Sequence, residues 1–477
     1  MQRIIFGVML AMLLGALDQT IVATALPTIG EAFGDFTNLS WVVTAYLLAS
    51  TAATPLYGKL SDIHGRRVML LTAIAIFSLA SAACALAPNL LVLIIARALQ
   101  GLGGGALISL AQTIIADVVS PRERGRYQAQ IAGVFAAASI AGPLLGGFFA
   151  QYLSWTLSFW INLPIGLAAF LMTDRALRRL PRHDRKHEMD FLGAGLMVVA
   201  SVLLLLALGW GGVRYAWTSP VILGLLGATG VLSALFVWRM RAAREPFLPL
   251  ELLADPVVGR GMAAAFMAVG AMVGLSIFVP LYFETGRGLS ASQSGLGLIP
   301  LMGGVVCGAV VSGRAMARIK HYKRPALAGL GIATTGLCIL ALAPALPLVV
   351  LCALLALVGA GIGTVLPVCT VSIQNAIPPY RMGTATGVMT FFRQLGGALV
   401  VAVLGAVLLA ALGAGSGAHD AESLARTADP ATVAVGFQRV FGTVALVTAL
   451  AALALSFLPE RPLRASVHHA ESDGGLV

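Results

Sequence analysis

Apolar runs of about 20 residues recur along this chain, and that recurrence constrains its fold more than any other feature. A hydrocarbon layer of about 30 Å is crossed by about 20 helical residues. About fourteen such runs are centred near Leu14, Leu48, Phe77, Leu102, Ile140, Gly166, Val202, Leu226, Val273, Leu301, Gly331, Leu357, Leu399 and Leu450. Polar breaks separate most of them. Backbone in hydrocarbon must satisfy its own hydrogen bonds, so runs of this length are expected as helices. With 58% hydrophobic and 11% charged residues in 477, there is too little polar surface to cover a water-soluble globule. The expectation is an all-α, multi-pass integral membrane protein whose surroundings are the lipid bilayer.

A formal net charge of +11 is compatible with nucleic-acid binding, but the basic residues fall in short loops and form no continuous patch or recognition motif. No nucleic-acid partner is expected. Alternate loops carry about 25 and about 4 Lys and Arg residues, a bias that reports orientation. It places both termini in the cytoplasm, makes the span number even, and suits an inner (plasma) membrane. Trp41, Trp155, Trp160, Trp210 and Trp217 fall near the opposite face, as an interfacial belt does. Asp18 and the lack of a following cleavage site make the first apolar run a span rather than a leader. The five cysteines lie in apolar segments without ligand spacing, so neither a metal site nor a disulfide framework is expected.

An internal repeat is visible. Gly101-Leu-Gly103-Gly-Gly105 returns as Gly359-Ala-Gly361-Ile-Gly363, and Pro121-Arg-Glu-Arg-Gly125 returns as Pro379-Tyr-Arg-Met-Gly383, both shifted by about 258 residues. Two related bundles follow, over 1–182 and 261–460, with an inserted helix pair over 183–260 and a cytoplasmic tail over 461–477. The stretch Gly58-Lys-Leu-Ser-Asp62-Ile-His-Gly65-Arg66-Arg67 sits between two apolar runs. Its glycines allow close helix approach, Asp62 suits a helix N-terminus or an arginine, and Arg66 and Arg67 suit the cytoplasmic side. Its counterpart, Gly313-Arg-Ala-Met-Ala-Arg318, has no carboxylate.

In order and spacing the Gly58–Arg67 loop resembles the signature loop of the major facilitator superfamily. Three more stretches carry the likeness: Leu17-Asp18-Gln-Thr-Ile-Val-Ala-Thr-Ala-Leu-Pro27, Arg97-Ala-Leu-Gln100-Gly-Leu-Gly-Gly104, and Gly133 followed by Gly142-Pro143-Leu-Leu-Gly146-Gly147. Asn162-Leu-Pro-Ile-Gly166 also fits. Together they resemble the 14-span drug:proton antiporters of the EmrB and QacA type. The resemblance implies two six-helix bundles plus two inserted helices. It also implies a proton-coupled secondary transporter that exports lipophilic, often cationic compounds by alternating access. Its partners would be a small-molecule substrate and protons, without a cofactor; a periplasmic adaptor is left open.

Asp18 and Arg97 are ions inside spans, where charge is functional by default, and Gln100 lies one turn from Arg97. With Glu284 and Arg393 they are the candidates for proton coupling or the substrate cavity. A structural hydrogen bond is the alternative for Asp18, backbone carbonyls for Arg97, and a solvated loop acid for Glu284. Gly58, Asp62, Gly65, Arg66 and Arg67 are expected to gate the two bundles. Gly133, Gly142, Gly146 and Gly147 are expected to let the fifth span pack on the second bundle, with Pro143 bending it. No Walker A loop, His-Glu-x-x-His or nucleophile elbow occurs, so enzymatic function is not expected. A transporter dedicated to one metabolite, and a non-transporting sensor or channel, remain the alternatives.

Overall fold

In the computed structural model, residues 2–36, 38–178, 189–243, 245–343, 346–413 and 429–464 are described. The long elements are fourteen helices: α1 Gln2–Phe33, α2 Trp41–His64, α3 Arg66–Ala85, α4 Leu90–Val118, α5 Pro121–Tyr152, α6 Leu157–Leu177, α7 Phe191–Trp210, α8 Pro220–Ala242, α9 Pro256–Leu281, α10 Ile299–Arg318, α11 Arg324–Leu342, α12 Leu348–Ala376, α13 Met382–Ala411 and α14 Pro430–Ser456. Thirteen are long and apolar enough to cross a membrane. The other, α2, is as long but diluted by Thr, Ser and Tyr residues. Two are interrupted, α6 at Ile161 and α12 at Thr364.

Several helices begin on a local signal. Ser120-Pro121, Ser219-Pro220, Asp255-Pro256 and Asp429-Pro430 each place a capping residue before proline, whose missing N–H is harmless in the first turn. Asp255 accepts from the Val257 and Val258 amides, and Ser219 from Ile222. The second bundle therefore starts at Pro256, ahead of the expected 261. The loop between α2 and α3 is the single residue Gly65, whose φ of 90° lies where a side chain is strained.

Helices α1–α6 pack as one bundle and α9–α14 as the other, each around its own core. The inserted α7 and α8 pack on each other, and α7 also touches α2 and α13. The sequence repeat reappears in space. Gly101 and Gly105 admit the α2 backbone at Tyr46 and Ser50, while Gly103 admits α3 at Phe77; Gly359 and Gly363 likewise admit α10 at Leu301 and Val305, while Gly361 admits α11 at Gly329.

Both described chain ends lie on one face, the basic one. The hydrogen bonds that join the bundles among the described residues lie there too, from α2 to α13 and from the start of α5 to α10 and to Arg464. By contrast α1 and α9, the first helix of each bundle, make no extensive contact. The bundles are thus tied at the basic face.

Candidate functional site

Four helices of the first bundle bring their polar residues to one point. Asp18 of α1 is 0% exposed and Arg97 of α4 is 1% exposed, with Nη1 of Arg97 2.6 Å from Oδ2 of Asp18. Gln100, one turn along α4, donates from Nε2 to Asp18 Oδ1 at 2.9 Å and accepts from Arg97 Nη1 at 2.7 Å. Asn162 of α6 donates to the same Asp18 oxygen at 2.9 Å and to Ser81 of α3 at 3.0 Å. Arg97 Nε donates to the Val42 carbonyl at 3.1 Å, and its guanidinium lies 4.3 Å from the centre of the Tyr46 ring. A buried ion pair survives in a low dielectric only when its remaining donors and acceptors are matched. Here Asp18 accepts three N–H bonds, so a proton reaches it only if this knot opens. Arg97 both pairs with Asp18 and binds a carbonyl, joining two readings that the sequence left separate.

The second cluster ties the bundles together. At the end of α2, Asp62 accepts from the Gly383 amide at 3.0 Å, and from the Thr384 amide and hydroxyl at 2.7 Å each. A carboxylate of one bundle thereby caps the first turn of α13 in the other, where the residue preceding the helix, Arg381, supplies no side-chain cap. Close approach makes this possible, because a β-carbon on Gly58 would sit 2.5 Å from the Gly383 carbonyl oxygen. Arg66 holds Asp62 at 2.5 Å and Asp117 of α4 at 2.9 Å, while Arg67 pairs with Asp174 of α6. Beside this latch lies a cavity of about 140 Å³ lined by Lys59, Asp62, Glu245, Tyr380 and Arg381, so the segment entering the second bundle covers the latch.

Arg393 stands apart from both clusters. It lies within α13, is 8% exposed, and donates from Nη2 to Thr370 Oγ1 of α12 at 2.6 Å. Its Nε is buried without a partner, and no carboxylate pairs with it among the described residues. Glu284 sits elsewhere again, half-buried in the π turn Tyr282–Gly286 that ends α9 on the face opposite the latch.

A helical pair of bundles with this repeat has known counterparts. The family model described as the Major Facilitator Superfamily matches residues 8–190 and 189–401. This chain belongs to that superfamily. An uncharacterized MFS-type transporter of Mycobacterium tuberculosis (strain H37Rv) is 37% identical over 414 residues, covering 85% of this chain and 58% of that protein. The chain therefore spans less than two thirds of that relative's length. The multidrug transporter protein MdtP of Bacillus subtilis is 35% identical over 414 residues, covering 86% of this chain and 76% of that protein. In fold, the human organic anion transporter MFSD10 is similar with a TM-score of 0.67 at 18% identity, covering 95% of this chain and 99% of that one.

Within this major facilitator fold the glycine-rich α5 departs from expectation. Gly142 and Gly146 face Thr20, Ile21 and Thr24 of α1, in the same bundle, and leave no space there for a side chain. The Thr20 hydroxyl donates to the Ala138 carbonyl at 2.9 Å, which draws the two helices together. Gly133 and Gly147 meet nothing within 4 Å. It is Gly125, near the basic face, that brings α5 against the second bundle, at Gly313. Pro143 is exposed within a helix that runs unbroken from Pro121 to Tyr152.

Sequence reasoning singled out Asp18, Arg97 and Gln100 as candidates without joining them, and assigned no role to Asn162, Ser81 or Tyr46. A polar amide inside an apolar run was the available signal for Asn162. The partners of Asp62, Gly383 and Thr384, carried no signal, since backbone amides look alike in any sequence.

Proposed function

We propose that this major facilitator chain is a secondary transporter that exports small lipophilic compounds in exchange for protons by alternating access. The basic face would lie in the cytoplasm of an inner (plasma) membrane, with both termini there. The observation that carries the reading is the capping of α13 by Asp62. It joins the two bundles through a charged group at the basic face, beside the crossing of α5 with α10, while α1 and α9 make no extensive contact. Rocking one bundle on the other requires such a breakable tie. A multidrug relative in Bacillus subtilis supports the breadth of substrate.

Asp18 is the acid proposed to couple the proton. Protonation would release Arg97 and let the four helices of the knot shift, whereas the closed knot excludes water. Chain reconstituted in liposomes should move lipophilic dye against an imposed pH gradient, and an uncoupler should abolish that movement. Dye flux of equal rate with and without the gradient would remove proton exchange from the reading.

A further inference from the structure

The two bundles treat their buried arginines unequally. Arg97 is neutralised by Asp18 and enclosed by Gln100, Val42 and Tyr46. Arg393, equally deep within its helix, has one neutral hydroxyl and no anion. Five N–H groups project from a guanidinium, and a buried Nε with no acceptor is an energetic liability in a folded protein. Beside it in sequence, the Oε1 atom of Gln394 is also buried without a partner. Away from the helix ends, the described spans hold a single carboxylate, Asp18, and it is already consumed. A permanent cation is fixed here where no acid is free to receive a cationic substrate.

We propose that Arg393 is the recognition group for a negatively charged ligand, so that the compounds carried are organic anions or zwitterions presenting a carboxylate or sulfonate. The proposal deepens the transport reading above and rests on it. The ligand's oxygens would take the Nε donor that the protein leaves unmatched and the Nη donor beside it, as planar guanidinium groups do with carboxylates. Thr370 fixes the fork from α12, so the site joins α12 and α13 of one bundle.

The test is equilibrium binding to the purified full chain in detergent, using fluorescein as the anionic probe and ethidium as the cationic one. The wild type is expected to bind fluorescein, Arg393→Gln to weaken that binding at least tenfold, and Arg393→Lys to weaken it less. Ethidium binding should be unchanged by either substitution. The proposal is overturned if wild type binds ethidium but no fluorescein, or if folded Arg393→Gln keeps its fluorescein affinity. Should Arg393→Gln not fold, unchanged fluorescein affinity in Arg393→Lys overturns it instead, because lysine lacks the fork. Flux in liposomes is read separately: loss of all gradient-driven flux would sink the transport reading while Arg393-dependent fluorescein binding still stood.

Discussion

At the crossing of α2 with α13, Gly58 meets Gly383 and Asp62 caps the helix beyond; at the crossing of α5 with α10, Gly125 meets Gly313 and α10 brings no carboxylate to the start of α5. The glycines are related by the repeat, and so are Asp62 and Ala317. The difference lies in where the helices begin. Gly383 is the second residue of α13, after the 3-10 turn Pro379–Arg381, so its amide and that of Thr384 have no partner within the helix. Gly125 is further inside α5, which starts at Pro121, so its amide is spent within the helix. There the Arg122 side chain reaches the Ala317 carbonyl at 3.3 Å instead. A carboxylate is useful only where free amides await it. Two halves of one fold therefore share a close contact while only one carries a carboxylate cap, and a like asymmetry separates the compensated Arg97 from the open Arg393.

The strongest way to sharpen this comparison is at the compensated arginine. Asp18→Asn leaves Arg97 buried without its anion and is expected to destabilise the first bundle by about 3–5 kcal/mol. Unfolding in detergent measures this, and Asp18→Asn with Arg97→Leu should recover part of the loss. If Asp18→Asn alone is as stable as wild type, the knot is not what holds these helices.

A smaller effect is expected at the latch. Asp62→Asn loses the ion pair with Arg66 and turns an amide donor toward two others, weakening closure by about 1.5–3 kcal/mol, while protein level in the membrane is kept. Distances between labels at the ends of α2 and α13 should then broaden toward open values. An unchanged distance distribution would mean that the glycine contact suffices.

The packing face of α5 gives a contrast of about the same or lesser size. Gly142→Leu overpacks against Thr20 and should cost about 1–3 kcal/mol. Gly133→Leu meets open space and should change stability by less than about 0.5 kcal/mol. Thermal unfolding of the two variants decides it, and equal losses would contradict the observed packing.

The smallest expected effect tests the comparison most directly. Ala317→Asp placed in the Asp62→Asn background should not restore closure, its effect staying within about 0.5 kcal/mol, since α5 offers no free amide there. Restored label distances would show that the carboxylate, and not the start of the helix, makes the difference.

Fourteen apolar runs, the glycine repeat and the Gly58–Arg67 loop were enough, by sequence alone, to determine an all-helical membrane protein of two related bundles with an inserted pair. These features are local: span length follows from membrane thickness, and a glycine marks a close approach wherever it lies. Membership of the superfamily was legible for the same reason. Tertiary structure alone decided the partners. Asp18 meets Arg97 across 79 positions, and Asp62 meets Thr384 across 322. It also turned Gly142 and Gly146 toward α1 rather than the second bundle, because glycine spacing defines a helix face but not the neighbour that fills it. Arg393 shows the same limit from the other side. Its presence in a span was readable, but its lack of an anion became visible only when every neighbouring helix was in place.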